Sequence, residues 1–216
     1  MNASVSLPLL AGAALALSGL TGCFNLQPAS DPTRFYVLTP RCAPRPQQTA
    51  AASAPLLMLG RVEVADYLQR SELVWRRAPN HVAYAHFTQW AEPLQPALDR
   101  VLKENFLRLL GSGRFFAGVN PGKRPVEEIR VSILQFDLFS EGEARVKALC
   151  RIVDHQSRET RKQQMLTASR RFDLEAADTA PEAAALSEAL ADICRQIVAL
   201  ASAGPAAPPP EQNAGR

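Results

Sequence analysis

The sequence predicts an α/β fold in which a sheet containing an antiparallel meander is covered by two main helices. Two long segments, residues 90–110 and 181–200, carry apolar residues three and four positions apart, which is typical of amphipathic helices. Between them, residues 128–174 contain three runs of alternating apolar and polar residues separated by turns, which is typical of antiparallel strands.

The amino-terminal half is predicted to add strands before the first helix. Residues 34–39 are rich in aromatic and β-branched side chains and end before a proline, so we expect a first strand there. Residues 40–55 contain four prolines and an alanine run, which predicts a flexible linker. Leu56–Val64 is predicted as a buried strand, and residues 73–77 and 81–85 as a hairpin around a Pro-Asn turn.

The first helix is predicted over residues 90–110. Pro93 is tolerated in a first turn and Gly111 is a typical helix end. The predicted buried stripe comprises Leu94, Leu98, Val101, Leu102, Phe106, Leu109 and Leu110.

The meander is predicted to contain a bulge. Ile129, Val131 and Ile133 alternate, and the following apolar residues alternate out of phase, so we expect a bulge or two-sided burial near Ile133. Thr179 and Glu182 have the spacing of a capping box that opens the second helix, whose apolar face should cover the sheet. Residues 204–216 are predicted to be a disordered tail.

The amino terminus predicts export and lipid attachment. The uncharged apolar run at residues 7–17 is too short to cross a bilayer and precedes small residues. Leu20-Thr21-Gly22-Cys23 resembles the bacterial lipobox, in which the cysteine is alkylated by a diacylglycerol and the preceding bond is cut. Residues 1–22 are therefore predicted as a signal peptide, and Cys23 as the lipid-attachment site. The alternative is a buried helix with an incidental cysteine.

One feature of the amino terminus departs from a typical signal peptide, and another bears on which membrane holds the protein. No Lys or Arg precedes the apolar run, so either the amino terminus supplies the positive charge or the true start lies upstream. Phe24 follows the cysteine, where an Asp in enteric lipoproteins favours inner-membrane retention, and this resemblance indicates the periplasmic face of the outer membrane.

Length and charge indicate one domain that does not bind nucleic acid. After the signal peptide we expect a periplasmic domain at 23–203 with a core of its own, interrupted by the linker at 40–55. The formal charge of +3 is too small to indicate nucleic-acid binding. A basic run at residues 158–171 could attract lipid headgroups, but interleaved acidic residues favour a solvated strand face.

Three cysteines remain in an oxidising compartment once Cys23 is used by lipid. Cys150 lies in a predicted strand and Cys194 in a predicted helix, so a disulfide between them is possible. The alternative is that both are small buried hydrophobes. Wide spacing disfavours zinc, and we expect no metal, cofactor or catalytic residue, because no motif combines a nucleophile with a base.

Several motifs together resemble the ABC-type transport auxiliary lipoproteins. They are the lipobox at Cys23, the Phe35-Tyr36-Val37-Leu38 strand, Val62 through Leu68, and Trp90-Ala91-Glu92-Pro93-Leu94 at the start of a long helix. The order and spacing agree over most of the mature domain. Ala65 stands where a proline is common in this family.

The resemblance implies a three-layer α/β sandwich with a mixed sheet and no enzyme activity. It also implies an envelope component that docks an MCE-domain lipid transporter at the outer membrane and supports phospholipid trafficking and membrane integrity. A homo-oligomer and direct phospholipid contact are possible. We expect the partner contact at Tyr67, Leu68 and Trp90, because aromatic and apolar residues at element ends suit interfaces.

Two other classes of function stay open. A lipoprotein that plugs or assembles another envelope machine, without a transport role, fits the same features. A lipid-modifying or cell-wall hydrolase is disfavoured by the missing nucleophile and base.

Overall fold

The computed structural model describes residues 31–44, 54–116, 124–175 and 181–203. In this part of the chain, eight strands form one mixed sheet, accompanied by two α-helices and a short 3-10 helix at Asp66–Leu68. In chain order the elements are β1 Arg34–Tyr36, β2 Leu56–Val64, β3 Glu72–Ala78, β4 His81–Trp90, α1 Leu94–Leu110, β5 Phe115–Phe116, β6 Val126–Phe139, β7 Glu143–Asp154, β8 Thr160–Arg171 and α2 Pro181–Ser202.

The long strand β6 organises the sheet. On one side it pairs with β7 along its whole length, and β7 pairs with β8, which gives the predicted antiparallel meander. On the other side its first half pairs in parallel with β2, and its end pairs in parallel with β3. The remaining strands extend the sheet outward: β4 and then β1 from β3, and β5 from β2.

The predicted bulge is confirmed. Pairing of β6 with β7 shifts between Ile133, which lies opposite Ala148, and Gln135, which lies opposite Lys147. Leu134 is the extra residue and is 39% exposed. Because one inserted residue reverses the alternation, Ile129, Val131 and Ile133 before it and Phe136 and Leu138 after it face the same side of the sheet.

The α/β class, the mixed sheet, the meander and the two main helices are confirmed. Helix α1 packs on β2 and β5, α2 packs on β6, β7 and β8, and the helices also contact each other. Their buried residues belong to one core cluster, so both helices cover the same face of the sheet. Charged side chains of β2, β6 and β7, including Arg61, Glu128 and Arg151, line a cavity of about 300 Å³ on the opposite face.

The start of helix α1 differs from prediction, whereas its end agrees with it. Trp90 ends β4 instead of opening the helix, and Pro93 precedes the first turn of α1 with an extended ψ of 136°. At the other end, Gly111 has a φ of 68° and its N–H donates to the Leu107 carbonyl, as a helix-ending glycine does.

Several predictions fall outside the described residues. They concern the signal peptide with Cys23, most of the linker at 40–55, the capping residue Thr179 and the tail at 204–216. Neither helix in the described ranges combines the length and apolar character needed to cross a membrane.

Candidate partner-contact site

The predicted contact residues lie at the edge of the core. Tyr67 and Leu68 belong to the 3-10 helix after β2. Leu68 is 1% exposed and Trp90 is 6% exposed, and the Trp90 ring packs against Phe136 with 6.1 Å between centroids. Their burial gives Leu68 and Trp90 a packing role, whereas Tyr67 is half-buried.

The structure brings the two predicted segments together. The N–H of Trp90 donates to the Ser71 carbonyl at 2.6 Å, which joins the start of β3 to the end of β4. Residues 69–71 and 90–96 line a cavity of about 410 Å³. We call this cavity and its lining residues the α1 entrance. Arg70 and Gln95 are exposed there, so polar groups are available at its rim.

A buried polar network holds the loop that carries Tyr67. The Tyr67 hydroxyl donates to Asp137 Oδ1 at 3.0 Å and accepts from Arg76 Nη2 at 3.3 Å. Arg76 Nε also donates to Asp137 Oδ2 at 2.5 Å, and the Asp137 side chain is fully buried. Because each of these polar groups has a partner, their desolvation is compensated.

Burial and charge set the protonation of this network. Burial, reinforced by the neighbouring Asp137 carboxylate, raises the pKa of Tyr67 to about 12. Burial lowers the pKa of Arg76, but hydrogen bonding and attraction to Asp137 outweigh it and raise that pKa overall. The phenol is therefore neutral and the guanidinium charged at physiological pH. The network therefore holds the loop through the Arg76–Asp137 ion pair and the neutral Tyr67 hydroxyl.

Sequence reasoning missed this network. Asp137 occupies the polar position between Phe136 and Leu138, where the alternation predicts a solvated side chain, whereas the structure buries it fully. The identity of its partner carries no sequence signal, because Arg76 lies 61 positions away.

A second polar cluster surrounds Glu128. Arg130 donates to both its carboxylate oxygens at 2.9 and 3.0 Å, and Arg158 donates at 3.2 Å. The hydrogen bonds from Arg130 lower the pKa of Glu128 despite its burial. Gly60 makes this position possible, since a Cβ there would lie 2.1 Å from Glu128 Oε1. A carboxylate neutralised by arginines in this way has a structural role.

The cysteines of the described domain are free and buried. Cys150 and Cys194 do not form the disulfide considered from the sequence, and the alternative of small buried hydrophobes describes them. Burial raises the pKa of Cys150 to about 12 and that of Cys194 well above its usual range. Buried thiols with raised pKa values are poor nucleophiles. No group of three His, Cys, Asp or Glu side chains suited to a metal occurs in the described ranges.

The basic run from Arg158 through β8 is largely paired. Arg158 binds Glu128, Arg161 binds Asp154 at 2.6 Å, and Arg170 binds Asp192. Lys162 donates to the Leu200 carbonyl at 2.9 Å near the end of α2, where a cation complements the helix dipole. This arrangement favours the solvated strand face over a headgroup site for these residues.

Two solved structures share this small mixed-sheet α/β domain. A Xanthomonas campestris protein of the DUF330 family is 19% identical, with a TM-score of 0.59, and the match covers 76% of this chain and 92% of that one. A second, uncharacterized protein is 16% identical, also with a TM-score of 0.59, covering 79% of this chain and 99% of its own. At these identities the likeness establishes the fold. No curated protein matches the sequence.

The family follows from the sequence match. A family model described as the ABC-type transport auxiliary lipoprotein component matches residues 36–198. The chain therefore belongs to the ABC-type transport auxiliary lipoproteins, as the resemblance predicted. Membership implies anchoring in a membrane of the cell envelope and a transporter as partner, and the family is not known as one of enzymes.

Proposed function

We propose that this protein is the lipid-anchored component of an MCE/ABC-type lipid transport system. It docks the periplasmic transporter at the outer membrane and supports phospholipid trafficking and membrane integrity. The observation that carries the proposal is the family match over residues 36–198, nearly the whole described domain, which follows the lipobox at Cys23 in the sequence.

The lipid anchor gives the protein its place in the envelope. Two or more acyl chains on Cys23 hold a protein stably on a bilayer, whereas one chain holds it only marginally. Phe24 in the sorting position supports transfer to the outer membrane. From there the domain faces the periplasm, where a transporter that spans the gap between membranes can be reached.

The α1 entrance is the docking surface that we propose for the transporter. The network of Tyr67, Arg76 and Asp137 fixes one side of it, and the rigid start of α1 forms the other. A preformed surface loses little conformational entropy on binding. Arg70, whose guanidinium lies 4.5 Å from the Tyr84 ring centroid, presents a positioned charge at its rim.

Co-purification tests the proposal. The protein is isolated from gently solubilised membranes, and an ATPase, a permease and an MCE-domain protein are expected with it. Recovery of a different envelope machine would instead support the plug or assembly role and overturn the transport function.

An exposed charge reversal tests the docking surface. Leu68→Asp would place a carboxylate at a buried position and destabilise the fold. Arg70→Glu is the better variant, because 54% of the Arg70 side chain is exposed. Arg61→Glu is the matched control, since that arginine is 78% exposed on the other charged face. Arg70→Glu should lower transporter recovery by about tenfold, on the scale of one interface charge, and Arg61→Glu should not. Equal recovery would contradict docking at the α1 entrance.

A further inference from the structure

The β1 edge of the sheet, which follows the predicted anchor in the sequence, carries exposed apolar side chains. Phe35 in β1 is 63% exposed, and Val37, just after this strand, is 49% exposed. Phe87 in the neighbouring strand β4 is 57% exposed. Exposed aromatic residues clustered at one edge of a domain are typical of a contact surface, whereas chance exposure scatters them singly.

A groove runs beside this edge. Its volume is about 550 Å³, and it lies between residues 34–41 and the first turns of α2 at Ala183, Ala184 and Ser187. Phe35, Val37 and the two alanines supply its apolar lining, and Arg34 and Arg41 supply its charge. We call it the β1 groove.

The two arginines of the β1 groove differ from those of β8. Within the described ranges, neither Arg34 nor Arg41 takes part in an ion pair, whereas Arg158, Arg161 and Arg170 each do. Both are exposed. Two exposed cations beside apolar side chains complement a partner in which anionic groups lie next to an apolar region.

The chain between the predicted lipid-attachment site and the domain enters the sheet at this edge. Arg34 lies 11 positions after Cys23, so the connection spans at most about 36–40 Å. It ends at β1, whereas β8 lies at the opposite edge of the sheet, five strand spacings or about 24 Å away. The tether thus joins the domain beside the β1 groove, at the edge of the sheet remote from β8.

We propose that the β1 groove rests on the bilayer surface. Phe35 and Val37 enter the headgroup region, Phe87 lies beside them, and Arg34 and Arg41 bind lipid phosphates. Aromatic side chains favour this interfacial depth, and arginines pair with phosphate through parallel hydrogen bonds. This inference rests on the lipid anchor of the proposed function.

Depth-dependent fluorescence quenching tests the contact. The full lipoprotein is reconstituted into vesicles of phosphatidylethanolamine and phosphatidylglycerol that contain brominated lipid, after mass spectrometry has confirmed the acyl adduct on Cys23. Phe35→Trp reports from the groove. Met165→Trp, at a β8 position that is 45% exposed, is the matched control. The signal of the wild-type tryptophans is subtracted from both.

The groove variant should be quenched at least about twofold more than the control, as expected for a ring at the interface. Quenching equal to that of Met165→Trp would overturn the proposal, whether the groove stays in water or another protein covers it. Replacing Arg34 and Arg41 by Gln in the Phe35→Trp protein should remove about half of the extra quenching. Unchanged quenching would contradict the phosphate contacts.

Quenching in vesicles and co-purification from solubilised membranes together separate this inference from the proposed function. Strong groove quenching without co-purification of a transporter would refute the transport role and support the membrane contact. Co-purification with weak quenching and an intact acyl adduct would refute the membrane contact alone.

Discussion

Arg76→Met should destabilise the protein more than Asp137→Asn, although both remove the same ion pair. The reason is the charge that each variant leaves behind. Without Arg76, the Asp137 carboxylate stays fully buried with only the Tyr67 hydroxyl as side-chain donor. In Asp137→Asn the charge left without its partner is that of Arg76. The Arg76 side chain is already 20% exposed in the native protein, so its guanidinium can turn toward water.

The magnitude follows from the burial of the pair. Removing one partner of a buried ion pair costs about 3–5 kcal/mol because the other charge is stranded. Arg76→Met, which strands Asp137, should reach this range. For Asp137→Asn we expect about 1–3 kcal/mol, since the amide keeps one acceptor for the hydroxyl and the partially exposed arginine regains solvent. A double variant with leucine at Asp137 and methionine at Arg76 should recover part of the loss.

Urea unfolding of the purified variants measures these differences from the transition midpoint at an unchanged m value. A cost below about 1 kcal/mol for Arg76→Met, or a larger cost for Asp137→Asn, would refute the account of a buried charge pair.

Three further outcomes are expected. Gly60→Ala should cost about 1–3 kcal/mol in urea unfolding, because its Cβ displaces Glu128, while Gly113→Ala, with nothing within 4 Å of its added Cβ, should stay near wild type. Folding raises the pKa of Tyr67 from 10.0 to about 12, so its stabilisation is complete below about pH 10. Roughly 2 kcal/mol should be lost as the pH rises to 12, and a Tyr67→Phe protein measured in parallel should lack this loss. Finally, a thiol reagent should find almost no reactive cysteine in the native protein and three in denaturant, because three thiols are buried and a thioether blocks Cys23; four would show that Cys23 is unmodified.

Much of the fold is readable from local patterns. The stripe on α1, the alternation on β6 to β8 and the bulge near Ile133 each follow from which residues must leave water, and that information lies within one element. The early start predicted for α1 has a local cause as well. Aromatic Trp90 fits an apolar helix stripe, yet its N–H pairs with Ser71 as the end of a strand.

The candidate site was less accessible to sequence reasoning. Tyr67, Leu68 and Trp90 were predicted as exposed contacts because they stand at element ends, but apolar residues at such ends also close the core, and Leu68 and Trp90 do so. The exposed rim of the α1 entrance gave no sequence signal, because its residues come from two segments that meet only in the folded domain.

The sequence by itself determined most of the helices and strands and the family, and it predicts lipid attachment at Cys23. The tertiary structure decided that both helices share one face, that Arg76 neutralises Asp137, and that the β1 groove forms beside α2. The physical reason is the separation along the chain of the residues involved. Local periodicity shows whether a residue is buried, whereas strand order and register determine which distant residue it contacts.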